Sequence, residues 1–340
     1  MIKQSFPLDF QWPTQEPFLF CVHHNDLFPK GLPHLGPDKK YLKGRNMGSD
    51  FELKDGFRMY HGEEIPGFPV HPHRGFETIT IVRKGLVDHA DSLGAAGRYG
   101  EGDVQWMTAG AGVQHSEMMP LLHQDRENPI ELFQIWLNLP KINKMAQPIY
   151  KMFWHEQIPK IHLDHDKILI QIIAGEYKGT KALIPPHNSW AYDPVNETSI
   201  LLVKMKAGTE LKLPASKSKT ARSLYFFSGK GLVLNGKPLN AHTGHFLDSQ
   251  YEMDFKSTSE EIEFLILQSR PIGEPIYQHG PFVMNTREEI VKAFQDFQQT
   301  SFGGWPWPRP DMVHGNKKER FAKFPEGHTE HPPKSAKDTK

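Results

Sequence analysis

Gly67-Phe-Pro-Val-His71-Pro-His73-Arg-Gly-Phe-Glu77-Thr-Ile-Thr-Ile-Val82 carries two signals in one stretch. Its second half, from Phe76, is a run of β-branched and aromatic residues that fits a strand. Its first half places two histidines at i and i+2, and on an extended chain such residues project from the same face. Further along, Gly102-Asp-Val-Gln-Trp-Met-Thr-Ala-Gly110-Ala-Gly112-Val-Gln-His115-Ser-Glu117 repeats that spacing with His115 and Glu117 after a glycine-rich turn. Laid side by side, the two segments would bring four ligands to one point. Three imidazoles and a carboxylate suit a divalent transition ion such as iron, nickel, copper or zinc, and a barrel interior would leave one or two positions open for water or substrate.

The rest of the chain reads as strands as well. Gly and Pro contribute 28 residues each, scattered along the whole length, and short runs rich in Ile, Val, Phe and Thr lie between them, as at residues 78–82 and 264–268. Many short strands punctuated by turns indicate an all-β sandwich or barrel. One helix is expected, over residues 286–302, where Thr286 and Glu289 have capping-box spacing and Ile290, Ala293, Phe294 and Phe297 share a face. At 340 residues the chain suggests two domains on a prior of about 150 residues each. We place an N-terminal metal-binding barrel at residues 1–145, a proline-marked connector at 146–160 and a metal-free barrel at 161–285. Residues 303–340 are expected to be an extended, partly disordered tail whose loss from residue 315 onward should cost little stability.

Composition narrows the function. Hydrophobic residues at 38% supply ample core, so most of the chain should fold. The balance of 40 Lys and Arg against 40 Asp and Glu removes the excess charge on which direct nucleic-acid or anionic-membrane binding draws. Cys21 is the sole cysteine, which excludes an intrachain disulfide and a multi-cysteine metal site and points to a cytoplasmic protein. No signal peptide or membrane span is expected. The other histidines, His24 and His89 among them, read as surface or capped residues, and His242 and His245 are three apart, a spacing that would put them on opposite faces of a strand. Ser228-Gly-Lys230-Gly lacks the upstream Gly and the following Ser or Thr of a phosphate loop. Gly94, Gly97 and Gly100 precede no helix and so form no dinucleotide fingerprint.

Four separated stretches then carry a family resemblance: HPHRGFET at 71–78, GDVQWMTAGAGVQHSEM at 102–118, FQIWLNLP at 133–140 and YQHGPFVMNTREEI at 277–290. Together, and in this order, they resemble the pirins, a family of the cupin superfamily. The resemblance implies a bicupin of two antiparallel β-barrels packed together, with one mononuclear metal in the N-terminal barrel. Its ligands would be His71, His73, His115 and Glu117, and the ion iron(II) foremost, with nickel, copper, zinc or manganese as alternatives. Glu77 holds the carboxylate position of the broader cupin pattern and competes with Glu117; we place it as a hydrogen-bonding neighbour of the ligands. The activity implied is dioxygenation of a flavonol such as quercetin, with Glu117 as catalytic base and Phe68, Phe76 and Trp106 as candidate ring-binding walls. The alternative implied is a metal- or redox-sensing regulator that binds a protein partner, which no residue here identifies.

Overall fold

The computed structural model describes residues 1–334 and divides them into two compact units. In both, most of the regular structure is antiparallel strand. The first unit comprises Met1–Val22, Ile135–Pro140 and Gln157–Gly273. Its larger sheet runs in the order Ile2–Pro7, Thr243–Asp248, Ala221–Ser228, Ile262–Ser269, Ser199–Met205, Ile168–Ala174 and Lys160–Leu163. A four-stranded sheet, Glu210–Leu213, Met253–Ser257, Leu232–Leu234 and Lys237–Pro238, covers one face of it. Strict alternation explains that face: in Met253–Ser257 the buried positions are Met253, Phe255 and Ser257, with Asp254 and Lys256 exposed between them. Leu211 and Phe255 from this sheet meet Val203, Leu224, Phe226 and Phe264 from the larger one in a single core. His245, on the Thr243–Asp248 strand, is buried and hydrogen-bonded to the Ser5 and Thr243 hydroxyls at 2.8 and 2.9 Å.

The second unit comprises His23–Gln134, Lys141–Glu156 and the chain from Glu274. One sheet takes Ile149–Phe153, Val104–Thr108, Phe76–Lys84, Asn128–Asn138 and Phe18–Phe28 in that order, and the last two strands continue past the unit's limits. The other orders Thr329–Glu330, Phe321–Lys323, Ala96–Gly100, Leu86–Asp91, Val113–Met118 and Gly67–His73. Side chains of both meet in the interior, since Thr80 of the first sheet bonds Glu117 of the second. Among the described residues the strands do not close by hydrogen bonds into barrels. Each unit is a pair of packed sheets with open edges.

The expected helix forms as Arg287–Thr300 with a complete capping box. Thr286 Oγ1 accepts from the Glu289 N–H, and the Glu289 carboxylate accepts from the Thr286 N–H at 3.0 Å. Its Ile290 and Ala293 pack with Phe282 and Met284.

Three expectations need correction. The compact units are interleaved in sequence and do not follow boundaries at 145 and 161, because the first strand, Ile2–Pro7, pairs with Thr243–Asp248. The supposed connector carries the edge strand Ile149–Phe153, in full register with Val104–Thr108. The tail docks: Phe321–Lys323 pairs with Ala96–Gly100, and Ala322 is fully buried. The signal for this lies in buried charge more than in hydrophobic period. Arg98 grips Asp88 through two nitrogens at 2.6 Å each and donates to the carbonyls of Gly315 and Lys317. Arg320 bonds Asp103 at 2.7 Å and Glu156 at 2.6 Å. The end of the tail, residues 335–340, lies outside the described residues.

Burial holds the Asp103 carboxyl up at about 6, and the backbone N–H groups of Gly100 and His155, with Arg320, oppose that shift. A folded-state pKa above the unfolded value of 3.8 means that the native state holds the extra proton between these pH values, so this group's contribution to stability falls as pH rises through that window. Arg320→Ala removes the facing cation and extends the penalty to higher pH. Urea unfolding should therefore show a larger destabilisation for Arg320→Ala at pH 8 than at pH 5. An equal loss at both would show that Arg320 acts only by packing.

Candidate metal centre

The Gly67–His73 and Val113–Met118 strands pair with Phe68 opposite Glu117, His71 opposite His115 and His73 opposite Val113. One extra residue sits between Phe68 and His71, and this bulge re-aims the strand. Without it, residues three apart would face opposite ways. With it, Phe68 and His71 share the face of Glu117 and His115. The result is a cluster in which one ring nitrogen from each of His71, His73 and His115 lies within 4.8 Å of the others. The ring centroids are 4.5 Å apart for His71 and His115, 4.8 Å for His71 and His73, and 4.9 Å for His73 and His115.

The chemistry of these rings suits a cation. His71 Nδ1–H donates to the Pro69 carbonyl at 2.8 Å, which leaves the Nε2 lone pair of the neutral ring facing His115 Nε2 at 3.0 Å. Burial holds the His73 and His115 imidazoles well below the usual histidine value, and the neighbouring His71 adds to the shift. His71 itself is lowered, chiefly by burial. Neutral imidazoles with converging lone pairs are what a divalent transition ion requires.

Glu117 stands beside the trio. Its carboxylate is 3.7 Å from His115 Nε2, while Oε1 accepts from the Thr80 hydroxyl at 3.1 Å and Oε2 from the Gln134 amide at 2.7 Å. Glu77 is also fully buried, and its carboxylate accepts from the Thr108 hydroxyl at 2.7 Å across the Phe76–Lys84 and Val104–Thr108 pair. The two carboxylates therefore have different partners.

Sequence models of the Pirin family and of the Pirin C-terminal cupin domain match residues 37–137 and 200–303. The chain belongs to the pirin family. A pirin-like protein of Caulobacter vibrioides is 38% identical over 239 residues, 70% of this chain and 81% of its own length. The pirin of Homo sapiens is 33% identical over 252 residues, covering 73% and 81%. Among solved structures, a quercetin 2,3-dioxygenase from Acinetobacter baumannii superposes with a TM-score of 0.71 at 27% identity, over 89% of this chain and 98% of that one.

This pirin holds more around its cluster than spacing revealed. The Leu86–Asp91 strand pairs with Val113–Met118 on the other side, His89 opposite Glu117 and Asp91 opposite His115. His89 is fully buried, and so is His24, which corrects the reading of both as surface or capped residues. The His89 ring lies 5.4 Å from His115, its Nε2 is 3.3 Å from the Asp91 carboxylate, and it stacks on Tyr150 at 5.1 Å. Gly97 makes that stack possible, because a Cβ there would sit 2.6 Å from the Tyr150 hydroxyl. His89-x-Asp91 had the same i, i+2 spacing as the other pairs, so the signal was available. Of the candidate ring-binding walls, Phe76 and Trp106 are fully buried, with Phe76 5.0 Å from His73, whereas Phe68 is half-buried beside His71. Among the described residues no other group of three histidine, cysteine or acidic side chains converges in this way, and no helix is long and apolar enough to cross a membrane.

Proposed function

We propose that His71, His73, His115 and Glu117 hold one divalent transition ion, iron(II) foremost, and that the chain is a dioxygenase acting on a flavonol such as quercetin. The observation that carries this reading is a buried carboxylate set beside three converging neutral imidazoles. Likeness to the Acinetobacter baumannii quercetin 2,3-dioxygenase supports the substrate class. The ion, when bound, supplies an electrophilic site that favours the ionised form of an enolic hydroxyl.

The chain's own residues supply the rest. Burial keeps the three histidines neutral, so their ring nitrogens are available to a cation and not blocked by protons. Glu117 takes the hydroxyl proton on its carboxylate. Thr80 and Gln134 fix the orientation of that carboxylate by donating to its two oxygens. His89 and Tyr150 wall the cluster on the side of the Leu86–Asp91 strand and keep water from it.

An oxygen electrode tests the reading: protein loaded with iron(II) should take up oxygen only when quercetin or a related flavonol is added. A metal-loaded protein that takes up none with any flavonol overturns it in favour of the metal-sensing regulator. The ligand assignment has its own test. His71→Ala and His115→Ala should each bind metal more weakly by at least the ~10–100-fold that changes around a ligand produce, yet keep the circular dichroism of the parent, because the strand pair is held by backbone bonds. Full metal occupancy in either variant would sink the assignment.

A further inference from the structure

The three histidines are not equally covered. His73 and His115 are buried and His71 is partly exposed, so the cluster meets solvent on the His71 side. Aromatic rings line that approach. Phe68, turned onto this face by the bulge, lies 6.4 Å ring to ring from His71. Tyr60 stacks on Phe68 at 5.1 Å, and Phe51 stands 6.4 Å from Phe68 and 5.0 Å from His61. Exposure rises outward along this line, from the partly covered Phe68 to Phe51, which is 38% exposed.

A single exposed apolar ring is ordinary on a protein surface. Phe51 differs because its surroundings are built. Asp26, buried, accepts from the Tyr60 hydroxyl at 2.5 Å and from Arg58 Nη1 at 3.1 Å, while Arg58 Nε donates to the Phe51 carbonyl at 3.1 Å. Asp50 and Tyr60 exchange two backbone bonds, at 2.8 and 2.9 Å, with Tyr60 held at φ 58° in the left-handed region. One buried carboxylate thus positions both the ring that supports Phe68 and the backbone that carries Phe51. A packed apolar core would not require this polar bracing, and Phe51 keeps more than a third of its surface in solvent.

Resting on the dioxygenase reading above, we infer that Phe51 and Phe68 recognise the aryl ring of a planar, multi-ring substrate while its enolic oxygens face His71, and that Phe51 is a specificity-determining residue. Flat rings stack on such a surface by offset or edge contacts, whereas a single-ring enol reaching the histidines would not extend to Phe51.

The experiment measures binding without oxygen, so that no turnover occurs, using the full-length metal-loaded protein and quenching of its tryptophan fluorescence. The probes are quercetin and kojic acid, a single-ring enolic pyranone. Phe51→Ala should weaken quercetin by about tenfold, as loss of an aromatic pair with its buried area implies, and leave kojic acid and metal content unchanged. Phe51→Trp should restore quercetin binding. In air, Phe51→Ala should raise KM for quercetin with kcat unchanged. Equal weakening of both probes, or parental affinity for quercetin in Phe51→Ala, overturns the assignment while the dioxygenase reading stands on wild-type turnover. Failure of the wild type to bind quercetin removes both.

Discussion

Glu117→Gln should cut flavonol-dependent oxygen uptake by roughly a hundredfold or more, the usual contribution of a positioned general base, when rates are normalised to bound metal. The substitution is nearly isosteric and leaves all three histidines in place, so part of the metal should remain. Its amide oxygen can still accept from one of Thr80 and Gln134, but the new NH2 faces the other donor and cannot take a proton from substrate. Loss of chemistry should therefore exceed loss of metal. Glu77→Gln is the matched control: its carboxylate bonds Thr108, and its replacement should disturb turnover per metal much less. The reverse outcome, with Glu77→Gln losing its metal and Glu117→Gln turning over normally, would transfer the carboxylate role to Glu77.

Deletion of residues 315–340 should destabilise the second unit by about 3–5 kcal/mol, the range for breaking a buried ion pair by removing one partner, and lower its melting temperature by roughly 6 °C or more. Three losses combine. Asp103, fully buried, loses Arg320; the Arg98 guanidinium loses the carbonyls of Gly315 and Lys317; and the Ala96–Gly100 strand loses its neighbour and becomes an open edge. Differential scanning calorimetry of the truncated and full chains decides it. A melting temperature within a degree of the parent would mean that the docked tail contributes nothing. Since only the Ala96–Gly100 and Leu86–Asp91 strands separate Phe321–Lys323 from Val113–Met118 in the same sheet, the deletion should also loosen metal retention, which chelator competition would register.

Much of the centre could be read from local chemistry. His71-x-His73 and His115-x-Glu117 declare strands by composition and a shared face by period, and both properties belong to a few consecutive residues. The same holds for the all-β class and for the capping box at Thr286 and Glu289, where the bonds close within one turn of chain. Pairing across distance is different, because its energy depends on partners that no local pattern names. The bulge between Phe68 and His71 is a property of register with another strand, and it alone puts Phe68 on the same side as the three histidines, against the period-2 expectation. Its spacing to Asp91 aside, nothing local distinguishes His89 from any other polar residue; only the pairing of the Leu86–Asp91 strand sets it opposite Glu117. The tail lacks hydrophobic period, yet the buried charges Arg98 and Asp103 hold it, and a charge reveals its partner only when both are folded. Side-chain type and spacing thus determined which residues could hold an ion and on which strands. Only the tertiary structure decided which faces those strands present to one another, because register and buried charge pairing are set by contacts between segments far apart in the chain.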